Sequence, residues 1–313
     1  YSKIMVVCNT VDRAQNLYET VEKQLKAQDF NVYLLHSRFL DEDRERIEKN
    51  MKTSLRDKNV KSLIITTQVC EVGLDVSCDL LMTELAPPDA LVQRIGRCAR
   101  EGGHGEVIVY DLAFPAPYGR IEIERSRNYI VENLDGKVIH WREELEFVNS
   151  ILNETFKKIM NDDRRRYKVI LSLSDAVFKG DRYGIERNVR EILGANVTIW
   201  DNPDTLKYEE LLRMPWLNVD IRVLERYLDK AKYWEIIFGH DEHGKPSFDH
   251  KIHGRLYPYG FYIIHPDYAK YDTKMGLILG EKGLALNPVM DEMRDPMVLS
   301  YSYKEETLSL IHI

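Results

Sequence analysis

The chain has 313 residues, of which 44% are hydrophobic and 30% are charged, and its formal net charge at pH 7 is -7. This length and hydrophobic content suffice for two folded domains with cores of their own. A negative net charge argues against capture of nucleic acid by overall electrostatics, so any bound strand must be held in a local groove.

Five short apolar runs in the first third of the chain predict strands of a parallel sheet covered on both faces. They are residues 4–8, 32–35, 63–65, 80–82 and 107–110. Between the first two runs, apolar residues recur at helical spacing: Val11, Ala14, Leu17, Tyr18, Val21 and Leu25. Alternating strands and helices predict a doubly wound α/β domain. Ligands of such domains gather at the carboxyl ends of the strands, where Asn9, Ser37 and Thr67 would lie.

One polar block follows the third apolar run directly, from Gln68 to Asp75. Hydroxyls and backbone amides at the carboxyl end of a strand can hold phosphates, and an acidic residue after a glycine can bind ribose hydroxyls. A turn glycine followed by a capping aspartate is the structural alternative for Gly73 and Asp75.

A second block, Asp89–Arg100, follows Pro88 and predicts a short helix. At helical pitch Gln93, Arg97 and Arg100 fall on one face with Arg94 beside it. The apolar positions Leu91, Ile95 and Ala99 turn toward a core. Planar guanidinium groups suit the charge that develops on a transferring phosphate. The alternative is a solvated basic helix.

A phosphate loop of the form Gly-x-x-x-x-Gly-Lys-Ser/Thr does not occur in the sequence, and no acidic box follows an apolar strand. Residues 241–243 and 291–294 resemble such a box only superficially, because their surroundings are polar and turn-like.

The character of the sequence changes after residue 114. Residues 139–160 read as one or two helices, and the basic run Arg164–Lys168 could contact nucleic acid or end a solvated helix. From residue 169, β-rich patches and turns predict an irregular α+β domain built from hairpins. Residues 303–312 start like an amphipathic helix, which suggests the beginning of a further helix or domain.

Several histidines cluster in the second half of the chain. His240, His243, His250 and His253, with neighbouring carboxylates, are ligand types suited to zinc or manganese. Gly239, Gly244 and Pro246 suit a hairpin turn equally well, and we favour the turn and predict no metal site. The four cysteines have no paired spacing, which favours free thiols in a reducing cytoplasm. No apolar run approaches membrane-spanning length, so no membrane partner is expected.

Together the blocks 68–75 and 89–100 resemble motifs V and VI of superfamily 2 helicases. Residues 34–39, followed by Asp43 and Arg44, and residues 83–90 are similar to variants found in the CRISPR-associated helicase of type I systems. The resemblance covers residues 3–112. Most superfamily relatives carry a glycine near Ser37 and a histidine in place of Gln93, so the chain departs from the general pattern there.

The resemblance implies a role for individual residues. The expected catalytic residues are Arg97 and Arg100, which would contact phosphate. The expected nucleotide-binding residues are Gly73, Asp75, Gln93 and Arg94. The expected nucleic-acid-binding residues are Asn9, Thr10, Ser37, Arg38, Thr66 and Thr67. For Asn9, a helix start with Asp12 three residues later is an equal alternative. ATP and Mg²⁺ would be held mainly by a first motor domain. Since the phosphate loop is absent, the resemblance implies that the chain begins between the two motor domains of a longer protein, or obtains the first half from a partner subunit. Alone, the chain should not hydrolyse ATP.

The resemblance also implies an organisation and a function. The expected fold is a second RecA-like helicase domain with a parallel sheet and flanking helices (residues 1–115), a helical linker (116–168), an accessory α+β domain (169–296) and the start of a further element (297–313). The expected function is that of the C-terminal half of an ATP-dependent single-stranded DNA translocase in type I CRISPR interference, an antiviral defence in the prokaryotic cytoplasm. The expected partners are a first RecA-like domain, the CRISPR surveillance complex and an HD-type nuclease. Another superfamily 2 DNA-repair or RNA helicase, or a non-catalytic RecA-like adaptor, remains the alternative.

Overall fold

The computed structural model describes residues 1–72, 74–100, 102–111, 116–140, 142–151, 174, 194–226, 233–252, 256–280 and 297–303. Considering these residues, the chain divides into two compact units. The first contains those of Tyr1–His36, Arg44–Lys157 and Asn287–Ile313, and the second contains those of Ser37–Asp43 and Lys158–Leu286.

The first unit is built on a seven-stranded sheet with the order β2-β3-β1-β4-β5-β14-β6. Its parallel strands are β1 (Lys3–Val7), β2 (Phe30–Leu35), β3 (Lys61–Thr66), β4 (Leu80–Glu84) and β5 (Gly103–Tyr110). Met5, Ile64 and Leu81, near the middle of their strands, are fully buried. The five predicted strands and their parallel arrangement are confirmed.

Helices flank this sheet. They are α1 (Val11–Lys26), α2 (Asp41–Arg56), α3 (Pro88–Ile95) and α4 (Arg120–Tyr129), with 3-10 and π-helical turns at Gln68–Cys70 and Ile130–Leu134; residues 142–151 are also helical. The predicted helix between the first two strands is confirmed, and its N-cap is Thr10, whose hydroxyl accepts a hydrogen bond from the Arg13 amide at 3.4 Å. The helix start that was the alternative role for Asn9 is therefore provided by Thr10.

The outer edge of β5 pairs with a strand that the sequence did not predict. β14 (Met297–Tyr303) runs antiparallel to β5 from Met297 opposite Val109 to Tyr303 opposite Gly103. β6 (Val138–Ile139) then pairs with β14 in parallel. The structure thus differs from the expected start of a further helix or domain at 297, because this segment covers a strand edge that would expose its backbone groups. Residues 304–313 lie outside the described residues.

The second unit contains a five-stranded sheet with the order β10-β9-β11-β7-β8. Its strands are β7 (Gly194–Ile199), β8 (Leu217–Asp220), β9 (Tyr233–His240), β10 (Pro246–Ile252) and β11 (Phe261–Ile264), and β12 (Ala269–Asp272) and β13 (Gly276–Leu279) form a separate hairpin. Two short helices, α5 (Tyr208–Arg213) and α6 (Ile221–Glu225), and a 3-10 turn at Pro203–Thr205 complete it. The predicted accessory sheet is confirmed, while the basic run 164–168 and the patch 170–173 lie outside the described residues.

The histidine-rich segment forms the turn between β9 and β10. The Asp241 carboxylate accepts hydrogen bonds from the amides of His243 at 2.9 Å and Lys245 at 2.8 Å, and Gly244 takes a positive φ of 74°. His250 lies 3.3 Å from Asp204, outside the turn. Among the described residues, which do not include His253, no group of three side chains could hold a metal ion. No helix formed by the described residues is long and apolar enough to span a membrane.

The units differ from the domain limits expected from the sequence. The first unit continues past residue 115 because α4 and the helical residues 142–151 pack on it: Ile123, Phe147 and Ile151 belong to the same core as the parallel sheet. The segment Ser37–Asp43 belongs instead to the second unit. There the Tyr271 hydroxyl donates to Asp43 at 2.7 Å, and the Leu277 amide donates to the carbonyl oxygen of Arg38 at 2.8 Å.

Candidate functional site

The candidate site lies in the first unit, at the carboxyl ends of β1 and β4. β1 is followed by Asn9 and β4 ends at Glu84. In the strand order, β2 and β3 lie on one side of β1, whereas β4 and β5 lie on its other side. Such a switch in direction leaves a crevice at the carboxyl edge, where open α/β sheets bind ligands.

The helix that carries Gln93 ends sooner than the sequence predicts. α3 stops at Ile95, and Gly96 forms its C-cap. Beyond it the backbone pairs with the end of the other motif: the Cys78 amide donates to Arg97 O at 3.0 Å, and the Ala99 amide donates to Cys78 O at 2.9 Å. The prediction that Gln93, Arg97 and Arg100 share one helical face is wrong, because this ladder replaces the last helical turns. The predicted inward direction of Leu91, Ile95 and Ala99 is confirmed.

All three arginines of the second motif contact the short segment Cys70–Asp75 of the first. Arg94 Nε donates to Glu71 Oε1 at 2.9 Å. Arg97 donates from Nε to the carbonyl oxygen of Cys70 at 3.0 Å and from Nη2 to that of Glu71 at 2.8 Å. Arg100 Nη1 lies 3.1 Å from Asp75 Oδ1. The two motifs that the sequence separates are therefore one structural unit.

Arg94 is completely buried, with 0% of its side chain exposed. Its Nη1 donates to Asn9 Oδ1 at 2.9 Å, Thr83 Oγ1 at 3.0 Å and Glu84 O at 3.1 Å. Its Nη2 donates to the Tyr118 hydroxyl at 3.1 Å and lies 2.9 Å from Glu71 Oε1. Every nitrogen of the guanidinium is occupied inside the protein, as burial of a charge requires. Arg94 thus faces the interior, which differs from the nucleotide contact expected for it.

The same interior holds a second ion pair. Glu84 binds the Arg13 fork through Oε1 at 2.8 Å and Oε2 at 2.6 Å, and its Oε2 also accepts from the Asn9 amide at 2.7 Å. We refer to Asn9, Arg13, Glu71, Glu84, Arg94 and Tyr118 as the buried cluster. Burial raises the pKa of the Glu71 carboxyl, an effect that the Arg94 charge opposes, and burial also raises the pKa of the Tyr118 phenol. The Tyr118 oxygen accepts the hydrogen bond from Arg94 Nη2.

A second set of residues reaches the surface beside this cluster, and we refer to Asp75, Gln93, Arg97 and Arg100 as the exposed edge. Asp75 is 86% and Arg100 43% exposed at the side chain. Among the described residues, no partner bonds to the side chain of Gln93 or to Arg97 Nη1. Cationic and amide donors at the surface, partly fixed by their own fold, can meet an anion that arrives from outside. Gly73 lies outside the described residues.

The residues expected to hold a nucleic-acid backbone differ in accessibility. Asn9 is 3% exposed, and its Nδ2 donates to Leu85 O at 2.8 Å. Thr66 is fully buried and donates to Leu35 O at 2.8 Å, while Thr67 is 2% exposed. Thr10 is half-buried. In the second unit Ser37 is exposed, whereas Arg38 is 4% exposed. Asn9 and Thr66 thus differ from the expectation because the sheet itself takes up their polar groups.

Sequence reasoning missed several members of the buried cluster. Glu71 lies inside the block 68–75 but was given no role, although a buried arginine needs a carboxylate partner. Glu84 lies in the block 83–90, and its acidic side chain just after an apolar strand was the available signal. Nothing in the sequence pointed to Tyr118, which follows the predicted domain limit at 115.

Known proteins resemble the part of the chain that contains this site. Residues 1–103 match the family described as CRISPR-associated nuclease/helicase Cas3, C-terminal. The CRISPR-associated helicase Cas3 of Thermoproteus tenax is 35% identical over 155 residues, which are 48% of this chain and 26% of that protein. The CRISPR-associated nuclease/helicase Cas3 of Methanothermobacter thermautotrophicus is 25% identical over 237 residues, covering 63% of this chain and 27% of that protein. The chain thus spans about a quarter of the length of these relatives.

The fold has a counterpart among solved structures. The match to the crystal structure of T. fusca Cas3 with ATP covers 88% of this chain and 38% of the T. fusca chain, with a TM-score of 0.55 and 16% sequence identity. The likeness shows a shared fold of sheet and flanking helices.

Proposed function

We propose that the chain, whose residues 1–103 match the family described as CRISPR-associated nuclease/helicase Cas3, C-terminal, acts in an ATP-dependent helicase that moves along single-stranded DNA during type I CRISPR interference. The single observation that supports this best is the setting of Arg97. Two of its nitrogens are anchored on the carbonyl oxygens of Cys70 and Glu71, the side chain is half-buried, and no described residue bonds to its Nη1. A guanidinium that the fold holds in place, with one nitrogen left without a protein partner, suits a charge that forms during catalysis.

Arg97 is the proposed arginine finger, and Arg100 the second phosphate contact. A guanidinium adds no covalent chemistry to phosphoryl transfer; it stabilises negative charge on the transferring γ-phosphate. Asp75 would bind the ribose, exchanging its exposed ion pair with Arg100, and Gln93 would link the nucleotide to the opposing domain together with Gly73. The nucleotide and its Mg²⁺ would be held mainly by a first RecA-like domain, because this sequence has no phosphate loop. That domain belongs either to the same protein or to a partner.

Strand binding is the second element of the proposal. Thr10 in the first unit and Ser37 in the second are the predicted contacts that reach the surface. Their hydroxyls could donate to the phosphate backbone without reading bases. Weak contacts of this kind suit a motor that must grip and release. The side chains of Asn9, Arg38, Thr66 and Thr67 are buried, so we propose no direct contact of these side chains with the strand.

The proposed partners follow from the resemblance of the sequence blocks to the CRISPR-associated helicase of type I systems. They are an HD-type nuclease domain or subunit and the CRISPR surveillance complex, in the prokaryotic cytoplasm. The name nuclease/helicase of the Methanothermobacter thermautotrophicus relative supports only the coupling of a nuclease to a helicase. The alternatives are another superfamily 2 helicase that acts on RNA or in repair, and an adaptor without catalysis.

Steady-state ATP hydrolysis by the complete protein, with saturating single-stranded DNA or RNA of matched length, separates these functions. The proposal expects hydrolysis that DNA stimulates and RNA does not. Stimulation by RNA alone would support the RNA helicase instead, and no hydrolysis with either strand, in a folded protein, would support the adaptor. A movement assay on single-stranded DNA that shows no displacement of a bound obstacle would contradict translocation.

A further inference from the structure

The anchor of Arg97 is made of backbone, and backbone atoms can be placed only by what surrounds them. The carbonyl oxygens of Cys70 and Glu71 belong to consecutive residues at the end of the 3-10 turn Gln68–Cys70. The Glu71 amide donates to Gln68 O at 3.0 Å, and the Cys70 side chain is fully buried. A change in the backbone torsions of Cys70 and Glu71 therefore moves these acceptors, and with them the Arg97 fork.

The side chain of Glu71 is what ties this peptide to the interior. It reaches inward to Arg94 while the carbonyl of the same residue faces Arg97. Arg94 is in turn fixed by Asn9 and Thr83 at the ends of β1 and β4. A continuous set of hydrogen bonds therefore runs from the two central strands through Arg94 and Glu71 to the Arg97 guanidinium.

Tyr118, which lies outside both motifs in the sequence, adds two further hydrogen bonds to this set. Its hydroxyl accepts from Arg94 Nη2 at 3.1 Å and from Gln68 Nε2 at 3.4 Å, so it joins Arg94 to the first residue of the turn. Gln68 Nε2 also donates to Asn9 O at 2.7 Å. The turn that presents the carbonyl oxygens is thus held at its start by Tyr118 and at its end by Glu71.

We propose that Glu71, Arg94 and Tyr118 are positioning residues for Arg97. They do not touch the nucleotide; they fix the backbone of Cys70 and Glu71 so that the two carbonyl oxygens hold the Arg97 fork in one orientation. This inference rests on the proposed function, because it concerns the accuracy with which Arg97 meets the γ-phosphate. A displacement of a reacting group by about 1 Å can lower a rate by about 100-fold.

Tyr118→Phe and Glu71→Gln test the inference in the complete protein. Each keeps the shape of the side chain and removes one hydroxyl or one charge. We expect Tyr118→Phe to lower kcat for DNA-stimulated ATP hydrolysis by about 10-fold and Glu71→Gln by about 10- to 100-fold. KM for ATP should change less than about 2-fold, since an effect confined to the transition state appears in kcat.

Two matched variants control for loss of a hydroxyl or of a buried charge. Tyr33→Phe removes a hydroxyl that donates to Asn50 O at 3.3 Å, and Asp111→Asn neutralises a carboxylate that pairs with Arg127 at 2.8 Å. Tyr33 lies on β2 and Asp111 directly follows β5, and neither is a member of the buried cluster. Both variants should therefore keep kcat within about 2-fold of the wild type. Equal losses in kcat in test and control variants would overturn the positioning role.

A second measurement separates this inference from the proposed function. The Nε–H of Arg97 is bonded to Cys70 O, so its proton should exchange slowly with water, as seen in nuclear magnetic resonance spectra of protein with ¹⁵N-labelled arginine. Tyr118→Phe should accelerate this exchange although Tyr118 has no bond to Arg97, while Tyr33→Phe should not. Unchanged exchange and unchanged kcat in folded Tyr118→Phe protein would overturn the inference. Normal turnover in Arg97→Ala would instead refute the proposed function. The proton exchange of Arg97 Nε–H would then decide alone whether Tyr118 positions Arg97.

Discussion

The buried cluster and the exposed edge share a set of three arginines spaced three residues apart, Arg94, Arg97 and Arg100, yet the surroundings of these arginines differ. Arg94 has 0% of its side chain exposed and its nitrogens are all bonded within the protein. Arg97 is half-buried and Arg100 is 43% exposed at the side chain, and among the described residues Arg97 Nη1 has no hydrogen-bond partner. Sequence spacing brought the three residues together as one candidate set, but burial divides them into one that holds the motifs in place and two that can meet a ligand.

This difference explains why the two layers should respond differently to the same substitution. Removal of a buried, paired charge leaves its partners without compensation, so folding stability falls together with turnover. Removal of an exposed, partly fixed charge leaves the fold intact, so the cost appears in turnover. The comparison therefore predicts two separable classes of variant.

The largest expected effect concerns the chain by itself. Because its sequence contains no phosphate loop, the purified chain should show no DNA-stimulated ATP hydrolysis, whereas addition of a first RecA-like domain should restore it through the exposed edge. The measurement is phosphate release with and without that domain. Substantial hydrolysis by the chain alone would show that its nucleotide site is complete without the other domain.

The next largest effect tests the buried cluster. Arg94→Ala should lower the free energy of unfolding by about 3–5 kcal/mol, because Glu71 would remain buried without its partner. Denaturant unfolding measures this change. A double variant with Glu71→Gln should recover part of the loss, since it removes the uncompensated charge. A loss below about 1 kcal/mol for Arg94→Ala would show that the cluster does not hold the motifs.

Arg100→Ala offers the contrasting case on the exposed edge. Its ion pair with Asp75 is open to water, so the free energy of unfolding should change by less than about 1 kcal/mol. Turnover should nevertheless fall if Arg100 contacts phosphate. A stability loss as large as that of Arg94→Ala, measured in the same denaturant series, would erase the distinction between the two layers.

The smallest expected effect is in the second unit, at the turn between β9 and β10. The hydrogen bonds of Asp241 and the positive φ of Gly244 account for the turn without a metal ion. Addition of a chelator should therefore leave the melting temperature unchanged, and zinc and manganese should be substoichiometric in the purified protein. A lower melting temperature after chelation, with restoration by zinc, would identify the histidines as ligands.

The sequence was sufficient for the parallel sheet because its strands are short, continuous apolar runs between helices, as Ile64 and Leu81 show by their complete burial. It was insufficient for β14, since a strand that pairs over a distance in sequence of nearly two hundred residues leaves no local signal of its partner. The turn at 241–245 was readable because glycine and aspartate chemistry is local.

For the candidate site, the sequence supplied the residues but not their directions. The three arginines and Asp75 were predicted and do lie together with the Cys70–Asp75 segment. Helical pitch alone placed Arg97 wrongly, because the backbone bonds between Cys78 and residues 97–99 end the helix early. The burial of Arg94 depends on Tyr118 and Asn9, which come from segments far away in the sequence.

The turnover of Arg97→Ala tests the central claim most directly. In the complete, folded protein with saturating single-stranded DNA, the account predicts a maximal rate of ATP hydrolysis lower by about two to five orders of magnitude, with a much smaller change in ATP affinity. Arg97→Lys should recover little, because an ammonium group cannot reproduce the guanidinium fork. A maximal rate close to that of the wild type in Arg97→Ala, with an unchanged melting curve, would contradict the assignment of Arg97 as the arginine finger.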